Sequence, residues 1–193
     1  MIDVKLKKIF YADEKVILSD IEMKIAKGEI VTILGKSGRG KSTLLKIIAG
    51  LHSNYEGSVK TESSKIGYIP QNKCLLPWKT VYENLILLKK IEASVSKEKA
   101  TELLKRLKIE ELKDKYVNNL SGGEYQRVTL GQVFYYEPDI ILMDEPFSAL
   151  DSQTKDEILY LFLQLQQEKK ITTVFVTHNI DEAEFIKGRI IRL

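Results

Sequence analysis

The run Ile30-Val31-Thr32-Ile33-Leu34 leads straight into Gly35-Lys36-Ser37-Gly38-Arg39-Gly40-Lys41-Ser42, and residues of helical spacing follow. A strand, a glycine-rich turn and a helix in this order give the phosphate-binding loop pattern G-x-x-x-x-G-K-S in the context it requires. No other feature of the chain limits its possible folds as strongly. Glycines let the backbone curl so that successive N–H groups converge on phosphate oxygens. A helix starting near Lys41 aims the positive end of its dipole at the same anion. Lys41 offers a point charge to the β- and γ-phosphates, and Ser42 a hydroxyl to Mg²⁺. Gly35, Ser37, Gly38, Arg39, Gly40, Lys41, Ser42 and Thr43 are the expected cradle of a nucleoside triphosphate. The cradle alone leaves the class of chemistry open.

The 193 residues suit one domain carrying a modest subdomain. Thirty basic against 27 acidic residues, spread along the chain, argue against a nucleic-acid partner, which calls for a clustered basic stripe. A single cysteine, Cys74, excludes an internal disulfide and suggests a reducing compartment. The N-terminus lacks the apolar block of a signal peptide. The longest apolar runs are far short of the roughly 18 residues of a membrane helix, so action at a membrane requires other chains to cross it. Four short apolar runs read as strands buried on both faces of a parallel sheet: 30–34, 66–69, 140–143 and 173–176. Between them lie helical faces. One is Leu44, Leu45, Ile47 and Ile48, ending at Gly50. Another is Ala100, Leu103, Leu104 and Leu107, with Ser96 as N-cap. A third is Ile158, Leu159, Leu161, Phe162 and Leu165. The alternation predicts an α/β fold with a parallel sheet around the P-loop. Ile2, Val4 and Leu6 predict a small antiparallel layer at the N-terminus, and residues 80–132 an inserted helical subdomain within a single domain over 1–193.

Three further motifs choose the class. They are LSGGEYQRV from Leu120 to Val128, IILMDEPFSALD from Ile140 to Asp151, and VTHN with His178. Lys41 and Ser121 are 80 positions apart, Ser121 and Asp144 are 23, and Glu145 and His178 are 33. In order and spacing the motifs resemble the ABC (ATP-binding cassette) ATPase family, from Tyr11 to the end. The resemblance implies a P-loop NTPase core of RecA type, with ATP and Mg²⁺ as ligands. It gives Asp144 the Walker-B role at the hydration shell of Mg²⁺, alongside Ser42 and the Q-loop residue Gln71. It makes Glu145 the residue that activates water and His178 the switch histidine at the γ-phosphate. Gln71 senses the partner, Ser148–Asp151 resemble the D-loop, and Tyr11 or its neighbour Phe10 stacks on adenine. His52 reads as a surface residue.

In the family, the signature residues Ser121, Gly122 and Gly123 complete the ATP site of an opposite subunit. One P-loop and one signature therefore imply a homodimer, or a heterodimer with a related cassette. The stretch Leu75-Leu76-Pro77-Trp78 and the run VTHNIDEAEF are similar to importer cassettes of the nitrate, sulfonate and taurine group. That similarity implies integral membrane permease subunits, a solute-binding protein and a place on the inner face of the cell membrane. Trp78 reads either as an edge of the permease groove or as packing within the subdomain. Glu124 stands where glutamine is common, and Gly131-Gln132-Val133-Phe134 replaces Ala-Arg-Ala-Leu, a change expected to weaken helix packing or a charge contact. The end at Leu193 predicts no regulatory extension.

Three competitors remain: a soluble single-cassette assembly ATPase, a small-metabolite P-loop kinase, and a binding module that has lost hydrolysis. The kinase leaves Ser121–Gly123 and His178 idle, and intact Glu145 and His178 oppose the last.

Overall fold

The computed structural model describes residues 1–10 and 16–193, so Tyr11 lies outside the described residues. Contacts divide the chain into two compact units, 1–68 with 139–145 and 169–193, and 69–138 with 146–168.

The first unit holds two sheets. Strands β1 (Ile2–Phe10), β2 (Val16–Ile25) and β4 (Tyr55–Thr61) form an antiparallel layer in the order β2-β1-β4. In β1 the expected alternation holds, since Ile2, Val4, Leu6 and Ile9 are buried while Lys5, Lys7 and Lys8 face out. Beside this layer, β3 (Ile30–Leu34), β5 (Ile66–Ile69), β6 (Ile140–Asp144), β7 (Thr172–Thr177) and β8 (Arg189–Arg192) stand in the order β5-β6-β7-β3-β8. The pairings of β3 with β7 and β8, and of β6 with β7, are parallel. Every residue of β6 and β7 is buried, which is why those segments read as unbroken apolar runs. Each fully buried Ile, Leu or Val there contributes on the order of 1.5–3 kcal/mol.

Helix α1 (Lys41–Ile48) lays Leu44, Leu45, Ile47 and Ile48 on this core and ends at Gly50, whose φ of 74° is the left-handed conformation of a helix stop. Helix α6 (Ile180–Ile186) follows β7 directly.

The second unit contains α2 (Val81–Ile91), α3 (Lys97–Arg106), α4 (Gly122–Tyr136) and α5 (Ser152–Lys169), with two short 3-10 turns. Residues 80–132 fall wholly inside it. Ser96 caps α3 by accepting from the Lys99 N–H, and Thr80 opens α2 in a capping box with Glu83.

The substituted run Gly131-Gln132-Val133-Phe134 is well accommodated, contrary to the expected weakening. A Cβ on Gly131 would lie 2.6 Å from Leu107 Cδ1 and 2.7 Å from Leu85 Cδ1, so glycine is what allows α4 to approach these side chains. Gln132 donates from Nε2 to the Asn84 carbonyl at 2.8 Å inside this packing, and the Phe134 ring meets Phe162 at 6.1 Å.

Candidate functional site

The carboxyl ends of β3, β6 and β7 assemble the candidate site in the first unit, where parallel sheets habitually bind ligands. From β3 the chain enters the loop 35–40. Gly38 and Gly40 take φ of 79° and 80°, and a Cβ on Gly40 would run into the Ile17 side chain. Conformation and space both demand glycine at position 40. Gly40 is also the N-cap of α1 and has no side chain to cap it, and the first turn carries no acid. The opening N–H groups of α1 are thus left to an anionic ligand.

Lys41 is 4% exposed and folds over the loop, donating from Nζ to the carbonyls of Gly35 at 2.8 Å and Lys36 at 3.0 Å. It also pairs with Glu145 Oε1 at 3.3 Å.

Glu145 follows the end of β6. Its backbone N–H still donates to the Val176 carbonyl of β7 at 3.0 Å, yet its φ of 44° lies in the left-handed region. A non-glycine residue held there stores strain of the kind found at functional sites. The turn aims a buried carboxylate at two partners. Besides Lys41, Glu145 Oε2 accepts from His178 Nδ1 at 2.8 Å. The acceptor is a carboxylate, so Nδ1 carries the proton. Nε2 takes no part in that bond, and the imidazole is half exposed.

The His178 backbone is set by its neighbours. Thr177 Oγ1 donates to the buried Glu182 at 2.6 Å and accepts from the Asn179 N–H, while Asn179 caps α6 through the Asp181 N–H.

Asp144, the last residue of β6, receives the Ser42 hydroxyl at Oδ1, 2.8 Å away. Burial pushes its carboxyl above the usual range, opposed by hydrogen bonds from Ser42 and Tyr68. A hydroxyl and a carboxylate at this spacing fit Mg²⁺, which takes few protein oxygens and completes its shell with waters and substrate phosphates. No group of three or more His, Cys, Asp or Glu that could hold a metal occurs among the described residues.

The first unit therefore brings together Gly35, Ser37–Thr43, Asp144, Glu145 and His178. Gln71 and Ser121–Gly123 belong to the second unit, where Gln71, Gly122, Ser148 and Leu150 line one crevice of about 110 Å³. Ser121 caps α4. Its hydroxyl accepts from the Glu124 N–H at 3.3 Å, and Glu124 Oε2 accepts from the Ser121 N–H at 2.7 Å. That returning bond holds the Glu124 carboxyl below the usual range. The acid in place of glutamine thus serves the capping box and leaves the Gly122 and Gly123 N–H groups at the exposed helix start.

His52 is a correction to the surface reading. It is half-buried and its Nε2 donates to the Phe10 carbonyl at 3.3 Å, tying the end of β1 to the segment after α1. Spacing alone gave no signal for this contact. Trp78 is 69% exposed, so it does not pack the helical unit. Together with exposed Tyr116 it lies on two segments joined by the Thr80–Tyr116 bridge.

The family model described as "ABC transporter" matches residues 18–148. The chain belongs to the ABC transporter family. This cassette is 37% identical over 182 residues to the aliphatic sulfonates import ATP-binding protein SsuB of Bacillus cereus, covering 91% of this chain and 72% of that one. Its fold matches the dimeric structure of MJ0796, a bacterial ABC transporter cassette, with TM-score 0.86 and 36% identity over 100% of this chain and 94% of that one. It matches a dimeric post-hydrolysis state of the same cassette bound to ADP and Pi with TM-score 0.85 and 35% identity, at the same coverage. The ABC cassette described here is an ATP-binding ATPase of P-loop α/β fold.

Proposed function

We propose that this cassette powers solute import through separate membrane-spanning subunits, hydrolysing ATP with Mg²⁺ at a site closed by a second cassette. The observation that carries the reading is Glu145 held between Lys41 at 3.3 Å and His178 at 2.8 Å, at the mouth of an uncapped helix.

Each group has a task in phosphoryl transfer. The loop N–H groups and Lys41 hold the β- and γ-phosphates. When the γ-phosphate takes up the Lys41 charge, the Glu145 Oε1 oxygen is released from its ion pair and turns to the attacking water, as a general base must. His178 keeps Glu145 in orientation through Nδ1 and offers Nε2 to the phosphate. Ser42, Asp144 and Gln71 would hold Mg²⁺, which would supply charge neutralisation at the phosphates. Tyr11, or its neighbour Phe10, supplies the adenine stack.

Residues 80–132 serve as the helical subdomain of a single nucleotide-binding domain. Ser121, Gly122 and Gly123 meet the ATP of an opposing copy, most simply a second copy of this chain. Exposed Trp78 and Tyr116 form part of the edge for a permease subunit, and a solute-binding protein belongs to the same system. No helix among the described residues is long and apolar enough to cross a membrane. The cassette then sits peripherally on the inner face.

The likeness to a sulfonate importer subunit supports import over a soluble assembly role. The test is size-exclusion chromatography with light scattering on Glu145→Gln. Adding ATP and Mg²⁺ should convert monomer to dimer while turnover is lost. A monomer throughout, or retained turnover, overturns the pairing or the role of Glu145 respectively. Recovery from a membrane extract with only soluble proteins overturns the importer reading.

A further inference from the structure

The Asp144 carboxylate has a second hydroxyl donor that none of the motifs contains. Tyr68 lies in β5, the edge strand beside β6, and its hydroxyl donates to Asp144 Oδ2 at 3.4 Å. Oδ1 takes the Ser42 hydroxyl at 2.8 Å, so each oxygen of one buried carboxylate is bonded by a hydroxyl from a different element. The Tyr68 ring packs on the apolar core of the first unit, which fixes where its hydroxyl points.

We propose that Tyr68 is a positioning residue for the metal site, holding the Asp144 carboxylate so that it meets the Mg²⁺ that accompanies ATP. The proposal rests on the reading of Asp144 as the acid at that metal. The reasoning is physical. A carboxylate on the last residue of a strand can still turn about its side-chain torsions. Ser42 would itself help to hold the cation, so its bond to Oδ1 would not serve only to orient Asp144. Tyr68 is not among the residues assigned to phosphate or metal, and its hydroxyl would stay free to hold Oδ2. It ties the acid to the neighbouring strand, as outer partners of metal ligands commonly do. The bond is long, so its loss should cost about three- to tenfold in metal coupling, at or below the low end for such partners.

The test uses the full chain and a fluorescent non-hydrolysable ATP analogue. Affinity is measured with Mg²⁺ and with EDTA for the wild type, Tyr68→Phe and Asp144→Asn, and the ratio of the two affinities is the readout. Tyr68→Phe should lower the ratio roughly three- to tenfold and leave the affinity in EDTA unchanged, and Asp144→Asn should lower the ratio further. An unchanged ratio in Tyr68→Phe beside a collapsed one in Asp144→Asn overturns the proposal and leaves Asp144 in its role. A parallel loss in EDTA also overturns it, because the tyrosine would then shape the pocket as a whole. An unchanged ratio in Asp144→Asn overturns the reading beneath it.

Discussion

At the scale of single residues the site is a set of buried charges that stabilise each other only in part. Lys41 and Glu145 form an ion pair in which the side chains are 4% and 9% exposed, so removing either leaves the other desolvated and unpaired. Lys41→Ala should weaken ATP binding at least tenfold, readable by titration of a fluorescent nucleotide, because the cradle loses its only buried cation among the described residues. Glu145→Gln should bind ATP as tightly as the wild type or more so while turnover falls at least a hundredfold, the scale of a lost general base. Asp144 behaves differently. Its folded carboxyl is raised, chiefly by burial. A raised acid costs the folded state nothing when protonated in both states, and costs stability once pH climbs past its unfolded value. Asp144→Asn should therefore raise the Tm of the nucleotide-free protein at pH 7. A lowered Tm in differential scanning calorimetry would show that Ser42 and Tyr68 more than offset the burial.

At the scale of elements, helix ends and one close helix contact decide the arrangement. The capping boxes at Thr80–Glu83 and Ser121–Glu124 are visible in the sequence as S/T-x-x-E, although a departure from glutamine is the plainer signal at Glu124. The role of Gly131 was not visible, since nothing in the order of residues says that Leu85 and Leu107 will converge on its α-carbon. Both leucines are fully buried and have little room to yield. Gly131→Ala should therefore destabilise the cassette by about 1–3 kcal/mol through overpacking, despite alanine's better helix propensity. A lower urea midpoint in Gly131→Ala checks this; a midpoint at or above that of the wild type would mean the leucines repack freely.

At the scale of the whole molecule, acid is the condition under which the fold should fail first. Glu29 is lowered by the Arg189 side chain, Glu124 by the Ser121 N–H and Asp151 by the Thr154 N–H. A carboxyl lowered in the folded state contributes stability that is complete above its unfolded value, near pH 4, and lost as pH falls through the folded value. Urea midpoints should hold between about pH 6 and 7 and drop below about pH 4, and the drop should shrink in Glu29→Gln with Glu124→Gln. Local pattern alone was enough for the α/β class, the parallel strands and the cradle. A buried strand is apolar throughout, and a loop that curls around phosphate needs its glycines where they stand. Asp144, Glu145 and His178 came from the resemblance of their motifs to the family, at the end of a buried strand or just beyond one. Which of these groups touch was settled by the folded arrangement. That Glu145 faces Lys41 and His178 together depends on β6, β7 and β3 standing side by side and on a left-handed turn at residue 145. The bonds from Tyr68 to Asp144 and from His52 to Phe10 join residues 76 and 42 positions apart, and distances of that kind are fixed by strand order and packing, which local pattern does not encode.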